Sequence, residues 1–569
     1  MRDHRAARTA PEAVLCSLFA EVLGVERVGI DDNFFELGGD SIVSIQLVSR
    51  ARKAGLVLTA RAVFQHQTVA ALAASSERAA ASASSSAAVV ADIATGPLPA
   101  TPIMRWFAER GGPVGRFSQS MLLRSPAGLR PERLSAALQA LLDHHDALRL
   151  RLDAGGAEWS FAVMPIGAVD AAGCVRRVDA VGLDDGALRA LIAAEAEAAE
   201  QRLDPAAGRL LQAVWFDAGA DRAGRLLLVI HHFAVDGVSW RILVPDLVAA
   251  VKASADGHAV VLPARTTSFR NWAERLVARA QDAKVVSELS FWRGMLEGPS
   301  LRLASGQLDP LRDVNRTAGH LTLTLPAAVT EPLLTRVPSA FHGGINEVLL
   351  TGLVLAVVDW QRRQDHTPGA GSSLNKSDTG AAVLIDIEGH GREEVFADVD
   401  LTRTVGWFTS LYPVRLDAGG LDVPAALSGG AALGRSLKSI KEQLRAIPEK
   451  GLHYGLLRHL NGETASTLAA LPVPELGFNY LGRFGSGQGG HNADAAWPMA
   501  SELEGVASGD PAMPLAHLIE INALTLDGAD GPRLSANVSF ASRLLRKDQA
   551  RDLAERWFCL LYTSDAADE

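Results

Sequence analysis

Cysteine, aromatic side chains, positive charge and long apolar runs are all scarce in this sequence, and each scarcity closes off a class of protein. Three cysteines in 569 residues, Cys16, Cys174 and Cys559, lie too far apart for a disulfide scaffold or a thiolate metal site. Isolated reduced thiols in a cytoplasmic protein are expected. Aromatic residues make up only 6%, which leaves Ala, Leu and Val to fill much of the interior. Lys and Arg total 55 against 65 Asp and Glu, a net charge of −10 that argues against nucleic acid as a partner. The longest apolar run, Val348 to Val358, falls short of the roughly 18 residues of a membrane span and reads as a buried helix. Met1-Arg2-Asp3-His4-Arg5 leads into no apolar signal core, so no membrane partner is expected.

What is present is length, enough for three to four units at about 150 residues each. One composition shift divides it. Ser75 to Ala91, SSERAAASASSSAAVVA, has too little large apolar surface to offset its backbone entropy and reads as a tether, or alternatively as an exposed Ala-rich helix. Ahead of it, Val14, Leu15, Leu18, Phe19 and Val22 recur at helical spacing with Gly24 as a stop, and Asp40 caps a helix carrying Ile42, Ile45, Leu47 and Val48. Thr59-Ala60-Arg61 and Thr68 to Leu72 open two further short helices, completing a small bundle. Beyond the tether, Gly96-Pro97-Leu98-Pro99 forbids a helix start, and helices alternate with strands. Leu134 to Arg149 is amphipathic, Leu226 to Ile230 and Val383 to Ile387 are buried-strand runs, and Asn537 to Phe540 is a weaker strand. Two α/β lobes are expected, since the segment exceeds one ordinary core.

Two stretches carry chemistry. In Asp31-Asp32-Asn33-Phe34-Phe35-Glu36-Leu37-Gly38-Gly39-Asp40-Ser41-Ile42, two glycines precede a helix start and put Ser41 in its first turn. There amide donors and the helix dipole favour an attached phosphate, although Asp40-Ser41 as a plain helix cap explains the spacing equally well. In His231-His232-Phe233-Ala234-Val235-Asp236-Gly237-Val238-Ser239-Trp240-Arg241-Ile242-Leu243, two imidazoles leave a strand end for a loop, a usual place for proton transfer. A buried structural pair and a metal site with Asp236 compete with that reading, but a third ligand is lacking. His144-His145-Asp146 repeats the His-His-Asp string on a helix and is read as structural.

The first stretch, DxFFxLGGDSI, resembles a peptidyl carrier domain, in which the serine after Gly-Gly-Asp bears a 4′-phosphopantetheine arm. The resemblance implies that Ser41 carries it, and Asp in place of His before the serine is similar to carriers that precede epimerization domains. The second, HHxxxDG followed by VSWRIL, resembles the epimerization branch of the condensation superfamily of nonribosomal peptide synthetases. Other matches follow in family order: Pro102-Ile103-Met104-Arg105-Trp106-Phe107 (with Met104 departing from the usual Gln), Glu388 to Glu393 (EGHGRE), Thr404 to Thr409 (TVGWFT) with Pro413, the Lys450 to Gly455 loop, and Phe478-Asn479-Tyr480-Leu481-Gly482.

The resemblance implies a small all-α four-helix carrier bundle followed by an α/β (α+β), two-lobed, chloramphenicol-acetyltransferase-like epimerization domain. The expected division is a carrier at 1–74, an Ala/Ser-rich linker at 75–97, an N-terminal lobe at 98–280, a C-terminal lobe at 281–558 and a non-family tail at 559–569, a possible truncation scar. The implied activity is inversion of the α-carbon of an aminoacyl or peptidyl thioester by acid/base transfer, without metal, redox or pyridoxal cofactor. A peptide-bond-forming condensation domain and a catalytically silent carrier-docking module are the alternatives. The resemblance gives His232 and Glu388 the proton transfers, makes Asn479 and Tyr480 polar supports, and leaves His231 and Asp236 to shape the loop. Without it, Glu388 to Arg392 reads as a surface turn with a salt bridge. Implied partners are a phosphopantetheinyl transferase, an adenylation domain upstream and a condensation domain downstream.

Overall fold

The computed structural model describes residues 5–82, 92–156, 158–365, 382–418, 422–484, 497–500, 502, 509–528 and 530–563. The chain opens with four helices, α1 (Ala10–Leu23), α2 (Ser41–Lys53), α3 (Ala60–Gln65) and α4 (Val69–Ser82). Each begins where the sequence supplies a cap. Thr9 and Glu12 form a reciprocal box at α1, the Asp40 carboxylate accepts from the Val43 amide at 2.7 Å, and Thr59 accepts from Ala62 at 3.1 Å. Leu15, Phe19, Phe34, Leu47, Val63 and Leu72 make a core of their own, separate from the rest of the molecule. Phe34 packs edge-on against Phe19 at 5.1 Å, and a Cβ on Gly39 would lie 2.4 Å from the Phe34 ring. The second glycine is therefore a packing requirement.

The body starts with β1 (Gly96–Leu98) and α5 (Pro102–Arg110). β2 (Ser118–Ser125), α6 (Pro131–His144), β3 (Leu150–Asp153), β4 (Ser160–Val163), β5 (Val175–Asp179), α7 (Asp185–Gln201), β6 (Leu211–Asp217), β7 (Gly224–His231) and α8 (Gly237–Ala255) complete the first lobe. Its main sheet runs β2-β7-β6-β5, with β1-β4-β3 as a second small sheet. β7 is buried on both faces, which is why Leu226 to Ile230 is continuously apolar rather than alternating. The second lobe holds β8 (Ala318–Leu325), β9 (Ala382–Gly389), β10 (Ser410–Asp417), β11 (Leu476–Phe484), β12 (Ile519–Gly528) and β13 (Gly531–Ala541). They form one sheet, β10-β9-β11-β12-β13-β8, in which β9, β11 and β12 are mutually parallel. The Val348 to Val358 run lies inside the helix Ile345–Asp365 and is buried throughout. Among the described residues no single helix is long and apolar enough to cross a membrane.

Three expected boundaries differ from the observed elements. Ser75 to Ser82, assigned to the tether, continue α4, because alanine's helix propensity extends a capped helix; residues 83–91 lie outside the described residues. The lobes do not divide cleanly at residue 280: residues 497–500 return to the first lobe and extend its sheet along β2. The Arg124 amide donates to the Pro498 carbonyl at 2.8 Å and the Ala500 amide to that of Leu122 at 2.9 Å. Finally, Cys559 to Leu561 belong to the fold. The helix Lys547–Thr563 runs through them, and Trp557, Leu560 and Leu561 sit one turn apart with Leu561 fully buried.

Candidate functional site

β7 delivers two histidines with opposite duties. His231 is fully buried; its Nε2 donates to the Val114 carbonyl at 2.8 Å and its Nδ1 accepts from the Phe233 amide at 3.3 Å. Burial pushes its pKa down to about 4, so it is an uncharged brace. His232 turns the other way. Its ring stacks on Phe117 at 4.9 Å and leans on Trp407 at 4.8 Å, and its Nε2 lies 3.0 Å from Gln119 Nε2. The amide orientation of Gln119 follows from Trp240, whose indole N–H donates to Gln119 Oε1 at 2.8 Å. Gln119 therefore offers its NH₂ to His232, a donor that opposes a charged imidazole. Burial lowers the His232 pKa in the same sense. His232 Nδ1 is shielded from water, and backbone groups of His232 and Val235 only partly offset the effect of burial on the ring.

Asp236 caps α8 through the Ser239 amide at 2.7 Å, accepts from Ser239 Oγ at 2.7 Å and from the Phe408 amide at 3.2 Å, and pairs with Arg392 at 3.1 and 3.2 Å. It is wholly engaged in holding the loop. Arg392, within the string that resembles a surface turn, is buried and donates from Nη1 to the Leu401 and Thr404 carbonyls. This ion pair ties the end of β9 in the second lobe to the histidine loop of the first. His390 is occupied by the Arg392 amide at 3.0 Å and by Glu393 at 3.3 Å. Among the described residues no group of three or more His, Cys, Asp or Glu converges as a metal site. The helical string resolves as structure, with buried His145 bonded to Asp246 at 3.0 Å and Asp146 capping the helix Phe269–Arg279.

Glu388 stands on β9, and side chains two apart on a strand share a face. Asp386 and Glu388 therefore project together. Across the sheet Asp386, Gly477 and Glu520 form one row, with Asn479 and Asn522 in the next. Asn479 Nδ2 donates to Glu388 Oε2 at 2.8 Å, completing that row. Between the carboxylates of the first row sits His517, with Nε2 3.0 Å from Asp386 and Nδ1 3.7 Å from Glu520. It fits because residue 477 is glycine: a Cβ there would come within 2.5 Å of His517 Nδ1. Burial opposes a charge on His517, yet the two carboxylates push its pKa up to about 9. Burial, reinforced by the neighbouring Glu520 charge, pushes Glu388 up to about 7; His517 and Arg110 only partly counter it.

α5 links the two halves. Phe107 stacks on Phe117 at 4.1 Å, which in turn stacks on His232. One turn on, Arg110 anchors to the Pro514 carbonyl at 2.8 Å and faces Glu388 and Glu520 electrostatically. Met104, the departure from the usual Gln, is fully buried on the inner face of this helix, where an apolar side chain suits the core.

Tyr480 does not join Asn479. As its neighbour on β11 it projects from the opposite face, where its hydroxyl meets Thr525 Oγ1 at 2.9 Å. There it lies within the field of Asp40, Arg241 and Arg483. That face receives the helical bundle. The Arg61 amide donates to Glu394 at 3.1 Å, Arg52 pairs with Asp400, and Lys450 lies 4.8 Å above the Phe64 ring. Ser41 is the first residue of α2. Nearby, Arg241 holds Nε and Nη1 out of water and without protein partners, a set of donors that fits an anionic arm attached at Ser41. Sequence reading missed Gln119, Asp386, His517, Glu520 and Arg241. Arg241 lies in the VSWRIL string and Asp386 in the Val383 to Ile387 run, and Gly477, which makes room for His517, stands beside the FNYLG string.

Two family models match the chain: a phosphopantetheine attachment site over residues 13–75 and a condensation domain over residues 97–561. A linear gramicidin synthase polypeptide of Brevibacillus parabrevis is 37% identical over 98% of this chain, which spans 7% of that protein. Chondramide synthase of Chondromyces crocatus is 36% identical over 96% of this chain. The chain spans only 7% to 13% of the first three curated relatives. Among solved structures, the epimerization domain from the third module of tyrocidine synthetase B is 27% identical, covering 84% of this chain and 99% of that one with a TM-score of 0.70. The first condensation domain of the calcium-dependent antibiotic synthetase shares the fold, at 18% identity and a TM-score of 0.56 over 83% of this chain and 97% of that one.

Proposed function

Because the chain belongs to the condensation-domain family of nonribosomal peptide synthetases and carries a phosphopantetheine attachment domain ahead of that body, we propose that it inverts the α-carbon of an aminoacyl or peptidyl thioester held on its own carrier. The observation that carries this reading is Glu388, a half-buried carboxyl held by Asn479 Nδ2 at 2.8 Å on the polar face of the second-lobe sheet, its pKa raised to about 7 by desolvation. The likeness to the tyrocidine epimerization domain supports it.

When bound at Ser41, the phosphopantetheine arm supplies the thiol whose thioester acidifies the α-hydrogen. Asn479 fixes Glu388 through Oε2, which leaves Oε1 to exchange the proton. His232 is the second proton-transfer group, its ring uncharged at rest because burial and the Gln119 donor both oppose a positive charge. One group removes the α-hydrogen as the other returns a proton on the opposite face, and the reverse reaction exchanges the roles. The active pair therefore holds a single proton, and both directions share one pH profile. His231 and Asp236 hold the loop, while Phe117 and Trp407 wall His232. In the longer synthetase an adenylation domain loads the carrier and a condensation domain takes the product.

The test is to modify Ser41 with a phosphopantetheinyl transferase, load separate samples with L- and D-aminoacyl groups, and hydrolyse them over time for chiral analysis. Both samples are expected to converge on one L/D ratio. Retention of configuration in both, or amide formation with a second loaded carrier, would overturn the reading.

A further inference from the structure

Arg241, in the first turns of α8, is half-buried and incompletely satisfied. Nη2 donates to the Arg483 carbonyl at 3.1 Å, but Nε and Nη1 are shielded from water and have no protein partner. Its guanidinium lies 5.1 Å from the centre of the Phe484 ring, so it cannot swing freely toward solvent. Unpaired, shielded donors on a cation are costly, and such a group is kept where something else completes it.

The carrier's turn sits at the same place. Gly38 takes φ 93°, and a Cβ on it would lie 3.4 Å from Arg483 Nη1 and 3.8 Å from Thr335 Cγ2. Arg483 is itself oriented by Asp527, which accepts from its Nε at 2.7 Å. Three residues beyond Gly38, Ser41 opens α2. Burial lowers the Arg241 pKa and the nearby Asp40 charge partly restores it, as expected of a cation next to the attachment point.

We propose that Arg241, with Arg483 beside it, is the receptacle for the phosphodiester that joins the arm to Ser41, its free N–H groups donating to the non-bridging oxygens. The inference rests on the reading that Ser41 carries the arm into this body. A phosphodiester is a fixed monoanion, and the planar guanidinium fork matches two of its oxygens in a way that an ammonium does not. Anchoring the arm at its root fixes how far the thioester reaches, whatever residue it bears.

Phosphorus NMR of the full chain carrying the arm reads this directly, because the phosphodiester is its only phosphorus. The wild-type line is expected to be shifted and broadened by docking. Arg241→Gln should return it to the narrow line of a mobile arm, with the docked population constant down about 10- to 100-fold. Arg241→Lys, which keeps the charge but loses the fork, should fall between them, with circular dichroism of both variants matching wild type. Should the glutamine variant unfold, the lysine variant alone decides. A phosphorus line unchanged in the folded variant overturns the receptacle. Inversion of the loaded residue by the wild-type chain is scored separately, so a docked arm on an inactive enzyme would sink only the epimerase reading.

Discussion

Replacing Glu520 with Gln removes one negative charge from the polar face of the second-lobe sheet at constant side-chain volume. Glu388 stands on β9 and Glu520 on β12 with β11 between them and one row of offset along the strands, so two spacings of about 4.8 Å and a two-residue rise of about 6.8 Å put them about 12 Å apart. At an effective dielectric constant of about 20, a unit charge at that distance is worth about 1.4 kcal/mol, about one pKa unit. The Glu520 side chain is 34% exposed, and water screens it further. The expected fall in the Glu388 pKa is therefore about half to one unit. Burial, the leading cause of the elevation, is untouched, so the value does not return to that of a free carboxyl. His517 keeps its bond to Asp386 and its charge acts in the same downward sense. The assay is kcat/KM for inversion against pH. The pair loses its only proton as pH rises past the Glu388 pKa, so the alkaline limb should move to lower pH while the limb set by His232 stays. His517→Gln, which removes the opposing cation, should move the alkaline limb up. An unmoved limb in the Glu520→Gln protein, or one shifted upward, would refute the electrostatic account of Glu388.

Two further outcomes follow from the same geometry. Glu388 is raised from 4.5 to about 7, so the stability it contributes is complete below pH about 4.5 and is lost as pH climbs through about 7. Relative to Glu388→Gln, the wild-type protein should lose up to about 3 kcal/mol between pH 5 and pH 9 in urea unfolding; a constant difference would contradict the raised pKa of that carboxyl. Asp236→Ala strands buried Arg392 and should destabilise the body by about 3–5 kcal/mol, whereas His232→Ala, which breaks no buried ion pair, should leave its unfolding free energy within about 1 kcal/mol of wild type.

Much of this arrangement was legible because its parts are local strings. A strand ending in two histidines, a helix cap before a serine and an acidic residue at a strand end each put their chemistry within a dozen residues. Helical periodicity likewise placed α1, and short strings opening on Asp40, Thr59 and Thr68 placed the other three carrier helices. The polar row behind Glu388 was not legible, because Asp386, Gly477, His517 and Glu520 meet only through strand order and register. The parity of β11 was available but overridden by the motif: Asn479 and Tyr480 are adjacent, so one strand cannot aim both at Glu388. Arg392 looked like a turn residue because nothing local reveals that Asp236 lies opposite it. Composition also misjudged both ends of the body. Small residues suggested a tether where alanines extend α4, and an unfamiliar string after Phe558 hid the last buried turn of a helix.

The central claim is that His232 and Glu388 address opposite faces of one α-carbon, and α-deuterium incorporation in single-site variants tests it most directly. Carriers loaded with L- or D-aminoacyl groups on Glu388→Gln and His232→Ala proteins are incubated in deuterated water, hydrolysed, and analysed for configuration and isotope. Each variant should fail to invert yet still exchange the α-hydrogen of one enantiomer, and the two variants should choose opposite enantiomers. Inversion by either variant, or the same enantiomer exchanging in both, would contradict the account.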